Sequence, residues 1–208
     1  MHAEPASAEK HPTKRRVDGR RLRSERTKTR IIEAYLELLR RTPQQTPTAA
    51  QIAEQAGCSV RSIFERFADR GALNLATVDH AIAVGQSEAV ARDVDGNRPT
   101  RIRSHVATRA QACETWLPLW RVLTTTQHQL PELKARVALA RLGNIERMRL
   151  MYGPELATLP ATQREPLLIA LATLISFESW DQLRDCYGLS LEAAQGVWID
   201  AIGRMLPP

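Results

Sequence analysis

The chain has 208 residues, 43% of them hydrophobic and 25% charged, enough for one large domain or a small one joined to a larger one. Its net charge of +6 sits wholly in the first third: residues 1–70 carry 15 Lys/Arg against 9 Asp/Glu, while residues 71–208 carry 14 of each, so an anionic partner is expected for the N-terminal part. Three widely spaced cysteines without a C-x-x-C pair exclude a disulfide framework or zinc site. No apolar run approaches the ~20 residues of a membrane span and none forms a signal-peptide core, so a cytoplasmic protein without a membrane partner is expected.

Residues 1–23 are polar and rich in Lys/Arg, with only two large aliphatic side chains, and read as a flexible basic arm. From Ser24 a first helix is expected, its apolar positions Ile31, Ile32, Tyr35, Leu36, Leu38 and Leu39 recurring at helical spacing up to Thr42-Pro43. Thr48 and Gln51 fit a capping box for a second helix over Ala49 to Ala56. Gly57 stands where a left-handed C-cap is needed, and Ser59 can cap a third helix whose Val60, Ile63, Phe64 and Phe67 are expected on one side. Further helices are expected near 70–92, 99–115, 117–128, 131–152, 162–187 and 190–206, and no segment alternates like a strand. The expected class is all-α.

Two helices joined by a short turn containing Gly form the helix-turn-helix arrangement, whose second helix fits the DNA major groove. Arg61 and Ser62 near the start of that helix are placed to reach bases; Arg66 and Arg70 are better placed for phosphates. The competing reading is a helical corner with solvated arginines. Ten Lys/Arg within residues 10–30, against only Asp18 and Glu25, favour DNA, since such an arm follows the backbone or enters a minor groove; Lys14, Arg15, Arg16, Arg20 and Arg21 are its candidate contacts.

Residues 24–73 resemble the DNA-binding domain of the TetR family of bacterial transcriptional regulators. The residues that carry the likeness are "RIIEAYLELL", Thr48, Ile52-Ala53, "AGCS" for the family's Ala-Gly-Val-Ser, "IFERF" for its aromatic-x-x-Phe, Arg70 and Leu73. The end of the chain, "FESWDQLRDCYGLSLEAAQGVWIDAIGRML", is similar to the family's terminal dimerisation helices. The resemblance implies an all-α chain with three parts: the arm over 1–23, a three-helix helix-turn-helix DNA-binding domain over 24–70, and a larger ligand-binding and dimerisation domain over 71–208. It implies a dimeric repressor released from a palindromic operator by a small ligand, with Thr48, Ser59, Arg61, Ser62, Phe64, Arg66 and Arg70 in the DNA interface. Phe64 stands where Tyr is usual and has no hydroxyl to give a phosphate. Arg70-Gly71 replaces Lys-Glu, and Gly71 costs about 1 kcal/mol of helix propensity relative to Ala.

All four tryptophans lie in the C-terminal part, where ordinary packing competes with a ligand-lining role. The candidate lining of an effector pocket is Arg109, Cys113, Trp116, Leu117 and Trp120, with Met148, Met151, Phe177 and Glu178. An apolar or aromatic ligand is expected, oriented by Arg109 or Glu178. A homodimer through residues 162–206 is expected from a run that includes Leu167, Leu168, Leu171, Leu174, Ile175 and Trp180, then Val197, Trp198, Ile202 and Leu206. No metal-ligand spacing, phosphate-cradling loop or nucleophile motif in a fitting context is found, so neither a cofactor nor an enzyme activity is expected. Cys58, in the turn, reads as a small buried hydrophobe rather than a redox switch. The alternative reading is a helical ligand-binding or catalytic protein whose basic arm serves another anionic partner.

Overall fold

A computed structural model describes residues 14–42, 45–88 and 90–208, without the side chains of 14–18, 20 and 129. All regular structure among these residues is helical. The chain divides into two compact units, Met1–Ala68 and Asp69–Pro208.

The first unit is built on α1 (Lys14–Arg41), α2 (Ala49–Ala56) and α3 (Val60–Phe64). Ile31, Tyr35 and Leu39 of α1 face α2, and they, Ile52 and Ala53 of α2 and Ile63 of α3 are all at most 4% exposed. One helical stripe thus buries against two short helices too small to be stable alone. Helix α1 begins ten residues before the expected Ser24, inside the segment read as an arm. The Lys- and Arg-rich run after Pro12 contains good helix formers and no further proline, so it extends α1 despite its charge density. Residues 1–13 lie outside the described residues.

The second unit contains α4 (Arg70–Glu88), α5 (Arg98–Thr126), α6 (Pro131–Met151), α7 (Gly153–Ala157), α8 (Ala161–Leu174), α9 (Phe177–Asp181) and α10 (Leu191–Met205). Helix α5 is the spine, with α4, α6, α9 and α10 packed against it. Three expected boundaries are corrected. Helix α5 runs straight through Pro118, where a break was expected. Pro118 cannot donate to the carbonyl one turn back, but Leu119, Trp120 and Leu123 beyond it are buried, and Arg121 is ion-paired with Asp181. The single helix expected over 162–187 breaks at Ile175: Ser176 caps α9 by accepting from the Ser179 amide at 3.1 Å, and one wider π turn follows over Gln182–Cys186. Helix α7 forms where only a connecting segment was expected.

Two arginines tie the ends of the helices together. The Arg98 guanidinium donates to the carbonyls of Gly203, Leu206 and Pro207, each at 2.7 Å, which satisfies orphan acceptors at the end of α10. Arg101, buried, is ion-paired with Glu155 of α7 and donates to the carbonyls of Met151 at 2.8 Å and Gly96 at 2.6 Å.

Candidate functional site

Local signals set the turn between α2 and α3. The Thr48 amide donates to Gln51 Oε1 at 2.8 Å, and the Gln51 amide donates to Thr48 Oγ1 at 3.3 Å, a closed capping box. Gly57 adopts φ 60° and ψ 44°, the left-handed cap that a side chain would strain, and the Cys58 amide reaches back to the Ala53 carbonyl at 2.9 Å. Ser59 then caps α3 by accepting from the Ser62 amide at 3.1 Å. Thr48 and Ser59 are therefore tied up in holding the turn.

The exposed face of α3 differs from the expected one. Ile63 and Phe67, one turn apart, are buried, while Val60 and Phe64 point out with Arg61. Phe67 lies just beyond the end of α3, and its amide donates to the Ile63 carbonyl at 2.8 Å, so this pair takes the one face that the short helix covers. Arg61 is 87% exposed and donates to Glu65 Oε1 at 2.9 Å; Phe64 is 56% exposed. Arg66 is half-buried, and its guanidinium donates to the Ser62 carbonyl at 2.9 Å, bracing α3. Ser62 is half-buried and bonded to Ser59 Oγ at 3.1 Å. Arg70 opens α4 in the second unit and is exposed, as is Arg21 on α1. The side chains of Lys14, Arg15, Arg16 and Arg20 lie outside the described residues. Cys58 is half-buried rather than buried, and among the described residues no disulfide forms.

Within the second unit, α4, α5, α6 and α9 line a half-open cavity of about 470 Å³. Helix α4 contributes Val78, Ala81, Ile82 and Gln86; α5 contributes His105, Arg109, Trp116, Leu119, Trp120 and Leu123; α6 contributes Val137, Asn144 and Arg147; Phe177 comes from α9. Trp120 stacks on Phe177 with ring centres 4.6 Å apart, and Arg109 lies over the Phe177 ring at 4.4 Å while donating to the Ile175 carbonyl at 2.9 Å. Behind this wall a second cavity of about 470 Å³ reaches Arg141, Ile169 and Glu178.

Of the expected lining, Arg109, Trp116, Trp120 and Phe177 meet at the first cavity, and Glu178 reaches only the second. Cys113, Met148 and Met151 are corrected to closed core, each at most 1% exposed, and Leu117, half-buried, lines neither cavity. Burial pushes the Cys113 thiol up to about 11, so it stays protonated. Glu178 accepts from Trp120 Nε1 at 3.1 Å and from Arg141 at 2.9 Å. Burial pushes this carboxyl up, but its hydrogen bonds outweigh that and hold it below the usual range. Both bonds fall on Oε1, and Glu178 reaches the second cavity only.

The chemically distinctive residues of the first cavity were not in the expected set. His105 is 3% exposed; its Nδ1 lies 2.7 Å from the Tyr152 hydroxyl and its Nε2 has no partner. Burial, then the charges of Arg109 and Arg147, push its pKa down to about 3, so the ring is neutral at ordinary pH. Arg147 is half-buried, has no hydrogen bond or ion pair to another described residue, and has its pKa lowered by desolvation. A His one turn before an Arg on α5 was a readable i, i+4 signal, but Arg147 needs the facing of α6 to be known.

The apolar surface expected to hold a dimer is largely used within the chain. Leu168, Leu171, Ile175, Trp180, Trp198, Ile202 and Leu206 are all buried in the unit's own core. What remains outside is Ile169 of α8, Tyr187, and Leu191, Val197 and Met205 of α10, with small exposed residues such as Ala193 and Gly196. None of the described helices is long and apolar enough to cross a membrane.

Scans against models of known protein families and against curated proteins find no match. Among solved structures, the chain is similar to a Rhodococcus sp. protein assigned provisionally to the TetR family of transcriptional regulators. The TM-score is 0.66 at 15% sequence identity, over 88% of this chain and 100% of that one. At that identity the likeness is one of fold, and the fold of this chain is the all-helical TetR type.

Proposed function

We propose that this chain is a transcriptional regulator that binds a palindromic operator as a homodimer through α2 and α3, represses there, and leaves when a small molecule enters the cavity of its second unit. The observation that carries the reading is the capped turn at Gly57, which presents Arg61, Val60 and Phe64 outward from a short helix. An arginine fork at the start of such a helix matches O6 and N7 of guanine, and exposed apolar side chains match thymine methyl groups. The basic charge confined to the first third supports a polyanionic partner. The shared fold with the Rhodococcus protein supports the same reading.

Dimerisation through residues 162–206 is supported by the exposed Ile169 of α8 and Val197 of α10, the latter beside the small exposed Ala193 and Gly196. Two copies related by a two-fold axis bring two α3 helices to two half-sites. The cavity between α4, α5 and α6 supports ligand control, and release can be no larger than the ligand's differential affinity for the two conformations. A gel shift with the DNA upstream of the chain's own coding sequence tests the reading. A retarded complex that survives excess random duplex is expected, whereas equal competition by random duplex would overturn it.

A further inference from the structure

Beside the amides of Gln86 and Asn144, the α4–α5–α6 cavity is lined by two groups that only donate, Arg109 and Arg147, and by His105. Tyr152 is fully buried and its hydroxyl bonds no described residue except His105. Were His105 to donate from Nδ1, the hydroxyl hydrogen would have no acceptor in a site where burial holds the phenol protonated. The hydroxyl therefore donates to Nδ1, and the neutral ring carries its hydrogen on Nε2, the atom left without a partner on a ring that lines the cavity. Arg109 lies one turn further along α5, and Arg147 comes from α6; neither has a carboxylate partner. The one carboxylate on the rim, Glu146, is paired with Arg149 at 3.2 Å.

The far end of the cavity is different. Because α5 and α6 run antiparallel, His105 and Arg147 mark one end and Leu123 and Val137 the other, with Leu119 and Trp116 between. From His105 to Leu123 the spine rises about 27 Å at 1.5 Å per residue, so the walls suit a molecule longer than it is wide. Donors and uncompensated positive charge stand at one end and an apolar channel leads away from it.

We infer that the ligand of this cavity is an amphipathic organic acid, its carboxylate received by Arg109 and Arg147 beside the buried His105 and its aliphatic or aromatic body running toward Leu123 and Val137. The inference deepens the effector part of the proposed function and rests on the reading of this unit as the effector-binding one. It replaces Glu178 as an anchor, since a carboxylate there would repel the ligand's own.

Calorimetric titration of the intact protein, without DNA, tests this with two matched probe sets: octanoate, octanol and octylammonium; and phenylbutanoate, phenylbutanol and phenylbutylammonium. The carboxylate of each set should bind about tenfold or more tightly than its alcohol, as charge-assisted bonds imply, with the ammonium weakest. Arg147→Gln, at a half-buried position, should weaken that preference several-fold, with Arg109 remaining in place. Equal affinity for acid and alcohol, a preference for the ammonium, absence of binding by both carboxylates, or a preference untouched in Arg147→Gln would each overturn the inference. Carboxylate binding by a protein that holds no DNA duplex would uphold the inference and refute the proposed function. Operator binding with no carboxylate preference would do the reverse.

Discussion

Arg61 and Glu65 are joined across one turn of α3, Nε to Oε1 at 2.9 Å, both on the exposed side of the helix. A guanidinium in this pair must leave its carboxylate to reach a base edge, and that carboxylate stands where it would face DNA phosphates. An exposed i, i+4 pair contributes only about 0.3–0.5 kcal/mol to folding, so its consequence lies in binding rather than stability. Glu65→Gln should therefore tighten binding to operator and random duplex alike, by removing one repulsion and freeing Arg61, with little change in thermal stability. Fluorescence anisotropy at two salt concentrations checks this; unchanged affinity at both would show that Glu65 is turned from the DNA.

His105 makes stability depend on pH in a defined direction. Its folded pKa of about 3 lies below the ordinary 6.5, because burial and the flanking Arg109 and Arg147 resist a second proton. The unfolded chain then binds more protons than the folded one between these values, and stability falls as pH falls through that window. Relative to neutral pH, the loss at pH 5 should be about 2 kcal/mol. The difference between the wild type and His105→Gln in urea unfolding at pH 7.5 and pH 5 isolates it from other titrations. A wild-type loss no larger than that of His105→Gln would contradict a neutral buried imidazole.

The Arg101–Glu155 pair, with both side chains under a tenth exposed, holds α5 to α7. Removing one member of such a pair leaves a buried charge without its partner. Glu155→Ala should destabilise the second unit by about 3 kcal/mol, while Arg101→Met with Glu155→Leu should recover most of that loss. Urea unfolding followed by tryptophan fluorescence reports on this unit, since all four tryptophans lie in it. A cost below about 1 kcal/mol for Glu155→Ala would mean that the Met151 and Gly96 carbonyls alone satisfy Arg101.

The parts of the fold legible in the sequence were those fixed by neighbours along the chain. Thr48 with Gln51, Gly57 and Ser59 each act over three or four residues, and each makes the contact its spacing predicts. The continuation of α5 through Pro118 was not legible, because it depends on what Leu119 and Trp120 pack against after folding. The same limit governs the cavity. Trp116, Trp120 and Phe177 could be nominated by size, but α6 turns about 100° per residue, so Arg147 faces the cavity while the adjacent Met148 is in the core. Val60 and Phe64 lie on the exposed side for a related reason: the short helix α3 covers one face, and Ile63 with Phe67, just beyond its end, takes it.

The most direct test of the account is the affinity of wild type and Arg61→Ala for the upstream operator and for a random duplex of equal length, measured by anisotropy at one salt concentration. The account predicts that Arg61→Ala loses about 1–3 kcal/mol on the operator, relaxes one base position in each half-site, and leaves random-duplex affinity nearly unchanged. An equal loss on both duplexes would contradict it, since Arg61 would then be a phosphate contact and α3 would not read sequence.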